Sequence, residues 1–244
     1  MLSIKLFPCL MDNYGFLIHD SESGATATID TPEAAKINAA LSREGWTLTE
    51  IWNTHHHFDH VGGNVELAAQ HGAIIRGPGH DKKRIPGLTH GVEGGENFKF
   101  GAHNVRVIAT PGHTTSHIIY HIPSAHEGQG AAFVGDTIFV MGCGRLFEGT
   151  PQDMFESMAK IAALAPSTQL YCAHEYTLSN GKFALTVEPD NTDLAAYMER
   201  AKALRDKAVP TVPTSVAQET KINPFMRAAT AARLGEIRKL KDNF

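Results

Sequence analysis

The stretch Thr54-His55-His56-His57-Phe58-Asp59-His60 decides the fold of this chain. It follows an apolar-leaning run, residues 48–53, that predicts a short strand, and Gly62-Gly63 and residues 64–70 then predict a turn and a helix. Imidazole and carboxylate are ligands that suit zinc, iron(II) or manganese. His55 and His57 alternate as side chains do in an extended segment, so they can share one ion, whereas Asp59 and His60 are better placed for a second. A solvated His-rich loop or an expression tag is the weaker interpretation, because tags stand at termini and lack an interleaved aspartate.

Composition excludes several classes of protein. The 244 residues, 42% of them hydrophobic, allow one large domain with a smaller module. A net charge of -4 argues against non-specific nucleic-acid binding. The three cysteines lack paired spacing, so we expect no disulfide framework and a cytoplasmic location. No run is long enough for a transmembrane helix, and residues 1–5 lead into an alternating strand rather than a signal peptide, so we expect no membrane partner.

Metal-ligating residue types recur where other predicted strands end. Besides the strand before His55, strands are expected at 2–7, 14–19, 25–29, 73–76, 103–110, 118–122, 131–135 and 170–173, with helices at about 31–43, 64–70 and 150–165. His113, Asp136 and His174 each stand at the end of one of these strands. Ligands of α/β folds gather where strand ends meet loops, so these groups are expected at one edge of the core. Asp30 is predicted to cap a helix or to support a ligand, not to bind metal.

Three segments carry less information. Residues 77–95 are rich in glycine and proline and predict a surface loop, 125–130 predict a polar loop, and 142–145 a glycine-rich loop. Beyond His174, helical spacing over 191–208 and 228–241 predicts a small helical module. The remaining histidines are interpreted as ordinary side chains: His19, His56, His71, His80, His90, His103, His117, His121 and His126.

These motifs together resemble the metallo-β-lactamase superfamily. The matching segments are Thr54–His60, Pro111-Gly112-His113-Thr114, Gly135-Asp136-Thr137 and His174. The resemblance implies an α/β fold, the metallo-β-lactamase αββα sandwich, with a dinuclear metal site. It implies that the first ion is bound by His55, His57 and His113, the second by Asp59, His60 and His174, and that Asp136 bridges the two. The superfamily hosts many reactions, so these motifs leave the substrate open.

A second set of motifs resembles the glyoxalase II (hydroxyacylglutathione hydrolase) family over essentially the whole chain. They are Asp12-Asn13-Tyr14, Gly142-Cys143-Gly144-Arg145, Cys172–Thr177, Asn223–Arg227 and Lys241–Phe244. The resemblance implies a catalytic domain over 1–174, a small C-terminal α-helical, glutathione-binding domain over 175–244, and substrate contacts from Arg145, Phe147, Tyr176, Arg238 and Lys241. The departures are Phe58 for the usual Trp, Ser116 and Ala173 for Gly, and Phe147 where some members have Tyr.

The implied reaction is metal-dependent hydrolysis of S-(2-hydroxyacyl)glutathione. S-D-lactoylglutathione would give glutathione and D-lactate, the second step of methylglyoxal detoxification, in a monomer with two divalent ions per chain (zinc, with iron or manganese as alternatives). Asp59 and Asp136 would be the catalytic side chains, holding the ions around a bridging hydroxide that attacks the thioester carbonyl. Two ions offset by two carboxylates and a hydroxide leave about one positive charge for the developing oxyanion. A thiol pKa of about 8.5 lets the thiolate leave without a general acid.

Three other functions fit these residues less well. A glutathione persulfide dioxygenase-like oxidoreductase of the same fold, with a single iron, is disfavoured because both ligand sets and the helical module are present. A nucleic-acid phosphodiesterase lacks the expected basic surface. A metal-binding protein without catalytic activity is less favoured, because it would not need a labile water position, whereas every ligand here matches a catalytic pattern. Arg238 and Lys241, three residues apart on a predicted helix, could also form a solvated helix end favoured by the dipole.

Overall fold

The computed structural model describes residues 2–126 and 128–244, and the chain divides into two compact units. Unit 1 comprises Met1–Ala109 and Ser116–Phe133, and unit 2 comprises Thr110–Thr115 and Val134–Phe244. The strands are β1 (Leu2–Cys9), β2 (Asn13–Asp20), β3 (Thr26–Ile29), β4 (Glu50–Trp52), β5 (Ile74–Pro78), β6 (His90–Val92), β7 (Asn97–Phe100), β8 (His103–Ala109), β9 (Ile118–His126), β10 (Gln129–Gly135), β11 (Ile138–Phe139), β12 (Gly142–Cys143), β13 (Gln169–Cys172) and β14 (Thr214–Ser215). The helices are α1 (Ala34–Glu44), α2 (Phe58–Val61), α3 (Asn64–His71), α4 (Pro151–Ala162), α5 (Thr177–Val187), α6 (Thr192–Arg205), α7 (Val216–Ile222) and α8 (Ala231–Asp242).

Two sheets form the body of unit 1. The first has the order β1-β2-β3-β4-β5-β6, antiparallel from β1 to β3 and parallel from β3 to β6. The second runs β7-β8-β9-β10 with antiparallel pairing. Aromatic rings fill the space between them: Trp52 meets Phe98, Phe100 and Tyr120 with ring centroids 5.0, 5.1 and 5.2 Å apart. Trp52 is fully buried, so it anchors β4 directly ahead of the histidine cluster.

Helix α1 covers the other face of the first sheet. Its apolar stripe buries Ile37, Ala40 and Leu41 against Leu17 and Ile51 in a shared cluster. Gly45 ends the helix in the left-handed conformation at φ 71°, where it donates to the carbonyls of the last turn. Truncating a fully buried residue such as Ile37 to alanine would cost about 2–5 kcal/mol.

Unit 2 is mainly helical. Strand β13 lies beside the end of β10, where Ala173 N donates a hydrogen bond to Gly135 O (3.3 Å). On its other side, β13 pairs with β14. Helix α8 packs on α4, and α6 packs on α5 and α7. Thr150 and Asp153 form a reciprocal capping box that fixes the start of α4, where Pro151 lacks the N–H that a first-turn residue would leave unpaired.

The predicted elements agree with the structure except at several segments. The expected surface loop 77–95 contains β6, which pairs in parallel with β5. In the expected loop 125–130, residues 125–126 belong to β9 and residues 129–130 to β10, while residue 127 lies outside the described residues. The expected loop 142–145 begins with the short strand β12. Helices α5 and α7 lie in segments without predicted helices, because α5 carries too weak an apolar periodicity and α7 spans only seven residues.

Two further findings bear on predicted partners and chemistry. Within the described part of the chain, no helix has the length and apolarity needed to cross a membrane. Cys9, Cys143 and Cys172 are free and buried, and burial raises the pKa of each thiol.

Candidate metal centre and substrate pocket

The histidine cluster starts where β4 ends and is held there by Asp30. The Asp30 carboxylate accepts hydrogen bonds from Thr54 N (2.8 Å), Thr54 Oγ1 (2.9 Å) and His60 Nδ1 (2.8 Å). A carboxylate only accepts, so the His60 proton stands on Nδ1 and the Nε2 lone pair is the one available to a metal. The predicted capping role of Asp30 is wrong, because α1 begins at Ala34 behind Glu33. The predicted supporting role agrees with these contacts.

The segment 54–60 of unit 1 contains two close pairs of atoms that could bind a metal ion. His55 Nε2 is 3.0 Å from His57 Nδ1, a distance at which two lone pairs repel unless a proton or a cation lies between them. His60 Nε2 is 3.4 Å from Asp59 Oδ2. His55 and His60 are fully buried, so the rings are held by packing rather than by solvent. This donor set is chemically suited to borderline divalent ions.

Asn13 fixes the carboxylate of Asp59. Its Nδ2 donates to Asp59 Oδ2 at 3.0 Å and approaches the Asp59 backbone oxygen at 3.4 Å, and the side chain is buried. Asn13 stands in the quoted motif 12–14, yet nothing in the sequence pairs it with a residue 46 positions away.

Two histidines interpreted as ordinary side chains lie against the cluster. The buried ring of His117 stacks on His55 with centroids 4.8 Å apart and an angle of 27°. His56 turns towards Asp81, whose Oδ2 lies 3.1 Å from its Nδ1. Neither contact requires either residue to bind a metal, but both restrict the rotation of the cluster.

In unit 2, Asp136 directs its two carboxylate oxygens at two different histidines. Asp136 Oδ2 lies 3.4 Å from His113 Nε2, and Asp136 Oδ1 lies 3.4 Å from His174 Nε2. His113 Nδ1 is 2.8 Å from the carbonyl of Arg145, which must be the acceptor, so its Nε2 also carries the lone pair. A carboxylate whose two oxygens face the Nε2 atoms of two histidines has the geometry that a bridging ligand needs.

Gly144 allows this approach. A Cβ at this position would collide with the backbone oxygen of Asp136 and lie 2.8 Å from His113 Nδ1. Glycine is therefore required by close packing, which explains part of the glycine-rich segment 142–145.

A pocket of about 590 Å³ within unit 2 gathers all five predicted substrate-binding residues. It is lined by His113, Asp136, Phe139, Cys143, Gly144, Arg145, Phe147, Tyr176, Ser179, Asn180, Arg238, Lys241, Asp242 and Phe244. Burial, Arg238 and Arg145, in that order, hold the pKa of Lys241 below its usual range. The three cations therefore share one electrostatic environment, with Asp136 and Asp242 as the acidic residues of the lining.

The pocket residues are held to different degrees. Arg238 is buried and donates from Nη1 to the carbonyl of Cys143 (2.8 Å) and from Nη2 to Asp242 (2.9 Å). Lys241 Nζ makes longer contacts to Ser179 (3.3 and 3.4 Å). Tyr176 stacks on His174 at 4.8 Å and 6°, whereas Phe147 is 62% exposed and meets His113 edge-on at 5.3 Å. Phe147 can thus supply an apolar surface but no hydroxyl.

Comparison with known proteins places the chain in a family. Residues 23–174 match the metallo-β-lactamase superfamily, and residues 175–244 match the hydroxyacylglutathione hydrolase C-terminus. A protein of Maricaulis maris (strain MCS10) named hydroxyacylglutathione hydrolase is 51% identical over 100% of this chain and 99% of its own length. The chain belongs to the hydroxyacylglutathione hydrolase family. As predicted, it is therefore an enzyme of the thioester hydrolase class.

Solved structures agree on the fold of this family member. ETHE1 from Myxococcus xanthus has a TM-score of 0.73 at 22% identity, covering 97% of this chain and 90% of that one. A protein solved in a di-iron-bound form, TTHA1623, has a TM-score of 0.62 at 22% identity over 91% and 98% of the two chains. The predicted αββα metallo-β-lactamase fold with a C-terminal helical domain is confirmed. The individual ligand and substrate roles, and the domain boundary after residue 174, stay predictions.

Proposed function

We propose that this hydrolase cleaves S-(2-hydroxyacyl)glutathione, with S-D-lactoylglutathione as a substrate and glutathione and D-lactate as products. The observation that carries the proposal is the pocket in unit 2, where Arg145, Arg238 and Lys241 lie in one lining with His113 and Asp136. Glutathione carries two carboxylates, so a cationic pocket beside a metal-binding carboxylate suits a glutathione thioester. In this proposal, the reaction is the second step of methylglyoxal detoxification.

We further propose that two divalent ions are bound by the seven groups of the family motif. His55, His57 and His113 would hold the first ion, and Asp59, His60 and His174 the second, with Asp136 shared. The fit is supported by the Nε2 lone pairs of His60 and His113 and by the two oxygens of Asp136, each facing its own histidine. Such a pair of ions supplies hydroxide at neutral pH and polarises a carbonyl oxygen. Zinc is the expected metal, with iron and manganese as alternatives.

The residues of the chain then have three tasks in the proposed reaction. Asp30 and Asn13 orient His60 and Asp59, so that their metal-binding atoms need no rearrangement. The pocket cations bind the glutathione carboxylates and thereby align the thioester with Asp136 and His113. Phe147 and Tyr176 cover the apolar part of the substrate.

The leaving group explains why no further acid is required. Glutathione leaves as a thiolate whose conjugate acid has a pKa of about 8.5, so it departs without prior protonation at neutral pH. Burial raises the pKa of Cys143, the thiol in the pocket lining, to about 11, so this residue stays neutral and does not compete as a nucleophile.

The test offers S-D-lactoylglutathione and glutathione persulfide in parallel to protein of measured metal content. We expect release of glutathione and D-lactate, without oxygen consumption, at about two ions per chain. Oxygen uptake with the persulfide, one iron per chain and no thioester cleavage would instead establish the oxidoreductase alternative. Removal of the ions with a chelator should abolish hydrolysis, and zinc should restore it. Cytoplasmic location and a monomeric state stay predictions.

A further inference from the structure

One wall of the substrate pocket is a short hairpin, residues 139–143, of which Phe139 and Cys143 belong to the pocket lining. Only Ile138–Cys143 and Phe139–Gly142 pair across it, as β11 and β12. Met141 at its tip has φ 58°, in the left-handed region that disfavours residues with a side chain. A turn of this kind needs bonds from outside to keep one conformation.

Side chains of residues 180–238 supply those bonds to four of the five carbonyls of the wall and to one of its amides. Asn223 Nδ2 lies 3.1 Å from Phe139 O and 2.9 Å from Gly142 O, and Glu219 Oε2 accepts from Met141 N at 2.9 Å. Two more carbonyls are bound from other helices: Val140 O by Asn180 (3.2 Å) and Cys143 O by Arg238 (2.8 Å).

Glu219 is the centre of this network. Its carboxylate is fully buried and accepts three hydrogen bonds, from Met141 N, Asn223 Nδ2 (3.0 Å) and Thr214 Oγ1 (2.7 Å). A single acceptor thus connects the strained turn to both β14 and the end of α7. Removal of the carboxylate would take the acceptor from two buried donors, Met141 N and Thr214 Oγ1, and one of three acceptors from Asn223 Nδ2, which is costly in the protein interior.

The wall reaches the substrate region through Phe139 and Cys143. Both line the pocket, and the Phe139 ring meets His174 and Tyr176 edge-on at 5.7 and 5.2 Å. A displacement of the turn would therefore move the surface next to Tyr176 and, through Cys143 O, the anchor of Arg238.

We propose that Glu219 is a positioning residue that holds the 139–143 wall in the shape that binds glutathione. The inference depends on the proposed function, since the wall borders the pocket assigned to glutathione. Glu219 is outside the pocket lining, so it acts through its bonds to Met141 and Asn223. Loss of the carboxylate should weaken glutathione binding more than it slows the chemical step.

The decisive variants are Glu219→Ala and Glu219→Gln. A glutamine keeps one acceptor oxygen for Met141 and Asn223 and can donate to the Thr214 hydroxyl, so it should bind glutathione within about threefold of wild type. The alanine variant loses all three bonds, and we expect its KM for S-D-lactoylglutathione to rise about 5- to 50-fold. The kcat, the metal content and the rate on the N-acetylcysteamine thioester of lactate, which lacks the glutathione arms, should change less than about threefold.

A binding measurement and a second variant separate a positioning role from a loss of stability. Titration calorimetry with glutathione measures the affinity of the metal-loaded protein without turnover. In Glu219→Ala, the Kd for glutathione should rise in parallel with the KM. If Glu219→Ala does not fold, Asn223→Ala removes the bonds to Phe139 and Gly142 and should give the same pattern. An unchanged KM and Kd in a folded variant, with only a lower Tm, would overturn the positioning role. Wild-type protein that neither binds glutathione nor cleaves its thioesters would overturn the proposed function and this inference together.

Discussion

Arg238 donates a hydrogen bond of 2.8 Å from its guanidinium to the backbone carbonyl of Cys143, 95 residues earlier in the chain. The bond ties helix α8 to the wall of the substrate pocket. Arg238 is buried and bound on two sides, whereas Lys241, one helical turn further on, reaches Ser179 only at 3.3 Å. The two cations therefore have unequal roles, one structural as well as electrostatic and the other mainly electrostatic.

For Lys241, we expect an effect on substrate binding alone. Lys241→Ala should raise the KM for S-D-lactoylglutathione several-fold to about a hundredfold, because a charge-assisted contact contributes roughly 1.5–3 kcal/mol before solvent screening reduces it. The effect should shrink at high salt and vanish for a thioester lacking the glutathione carboxylates. Lys239→Ala, on the same helix but exposed and outside the pocket lining, is the matched control and should behave as wild type.

For Arg238, conservation of charge should not restore function. Arg238→Lys keeps the positive charge but loses the forked geometry that binds Cys143 O and Asp242 together. We expect a higher KM and a lower Tm in this variant, whereas Lys241→Arg should keep both near wild type. Equal behaviour of the two conservative variants would contradict the structural role of Arg238.

Asp136 should control metal retention. Its two oxygens face His113 and His174 separately, so Asp136→Ala removes the group proposed to lie between two cations. We expect the metal content to fall from about two ions per chain and hydrolysis to drop by several orders of magnitude. Asp153→Ala, a surface helix cap, is the control for general loss of stability and should retain both ions. Full loading at a near-normal rate in Asp136→Ala would exclude a bridging role.

Leaving-group chemistry gives a prediction that is independent of binding. If the thiolate departs without a general acid, thioesters should be cleaved far faster than matching oxygen esters of the same acid, whose alkoxide is a much poorer leaving group. Comparable rates on the two esters would indicate an acid among the pocket residues. Single-turnover measurements would separate this chemical step from product release.

The buried Glu219 makes stability depend on pH in a defined direction. Burial raises its pKa from 4.5 to about 7, although hydrogen bonds from Met141, Thr214 and Asn223 oppose the shift. Between these values the folded protein keeps a proton that the unfolded chain releases, so the free energy of unfolding falls as pH rises through about 4.5 to 7. The loss for this group is on the order of 3 kcal/mol.

The Glu219→Gln variant isolates that contribution. Urea unfolding of metal-loaded wild type and variant at several pH values from 5 to 8 should show wild type losing stability relative to the variant as pH rises. If the difference in free energy of unfolding between wild type and variant is constant across this pH range, Glu219 has the same protonation state in the folded and unfolded protein.

The sequence by itself determined the fold family and the residue types of the candidate site. The histidine and aspartate motifs carry that information locally, because a short strand followed by alternating imidazoles restricts where the side chains point. The apolar patterns of strands β1 to β5 and of α1 likewise predicted these elements to within a few residues, whereas β6 was missed. The predicted substrate-binding residues were likewise taken from linear motifs, and the structure gathers them in one lining.

Only the tertiary structure decided which groups hold those residues in place. Asp30 is a hydrogen-bond partner of His60 rather than a helix cap. Asn13 and Glu219 form hydrogen bonds with residues 46 and 78 positions away. Such bonds leave no periodic trace, since one buried acceptor can satisfy donors from any part of the chain. Arg238 shows the same limit, because spacing put it on a helix face while only the structure shows that its guanidinium is buried and bonded to Cys143 O.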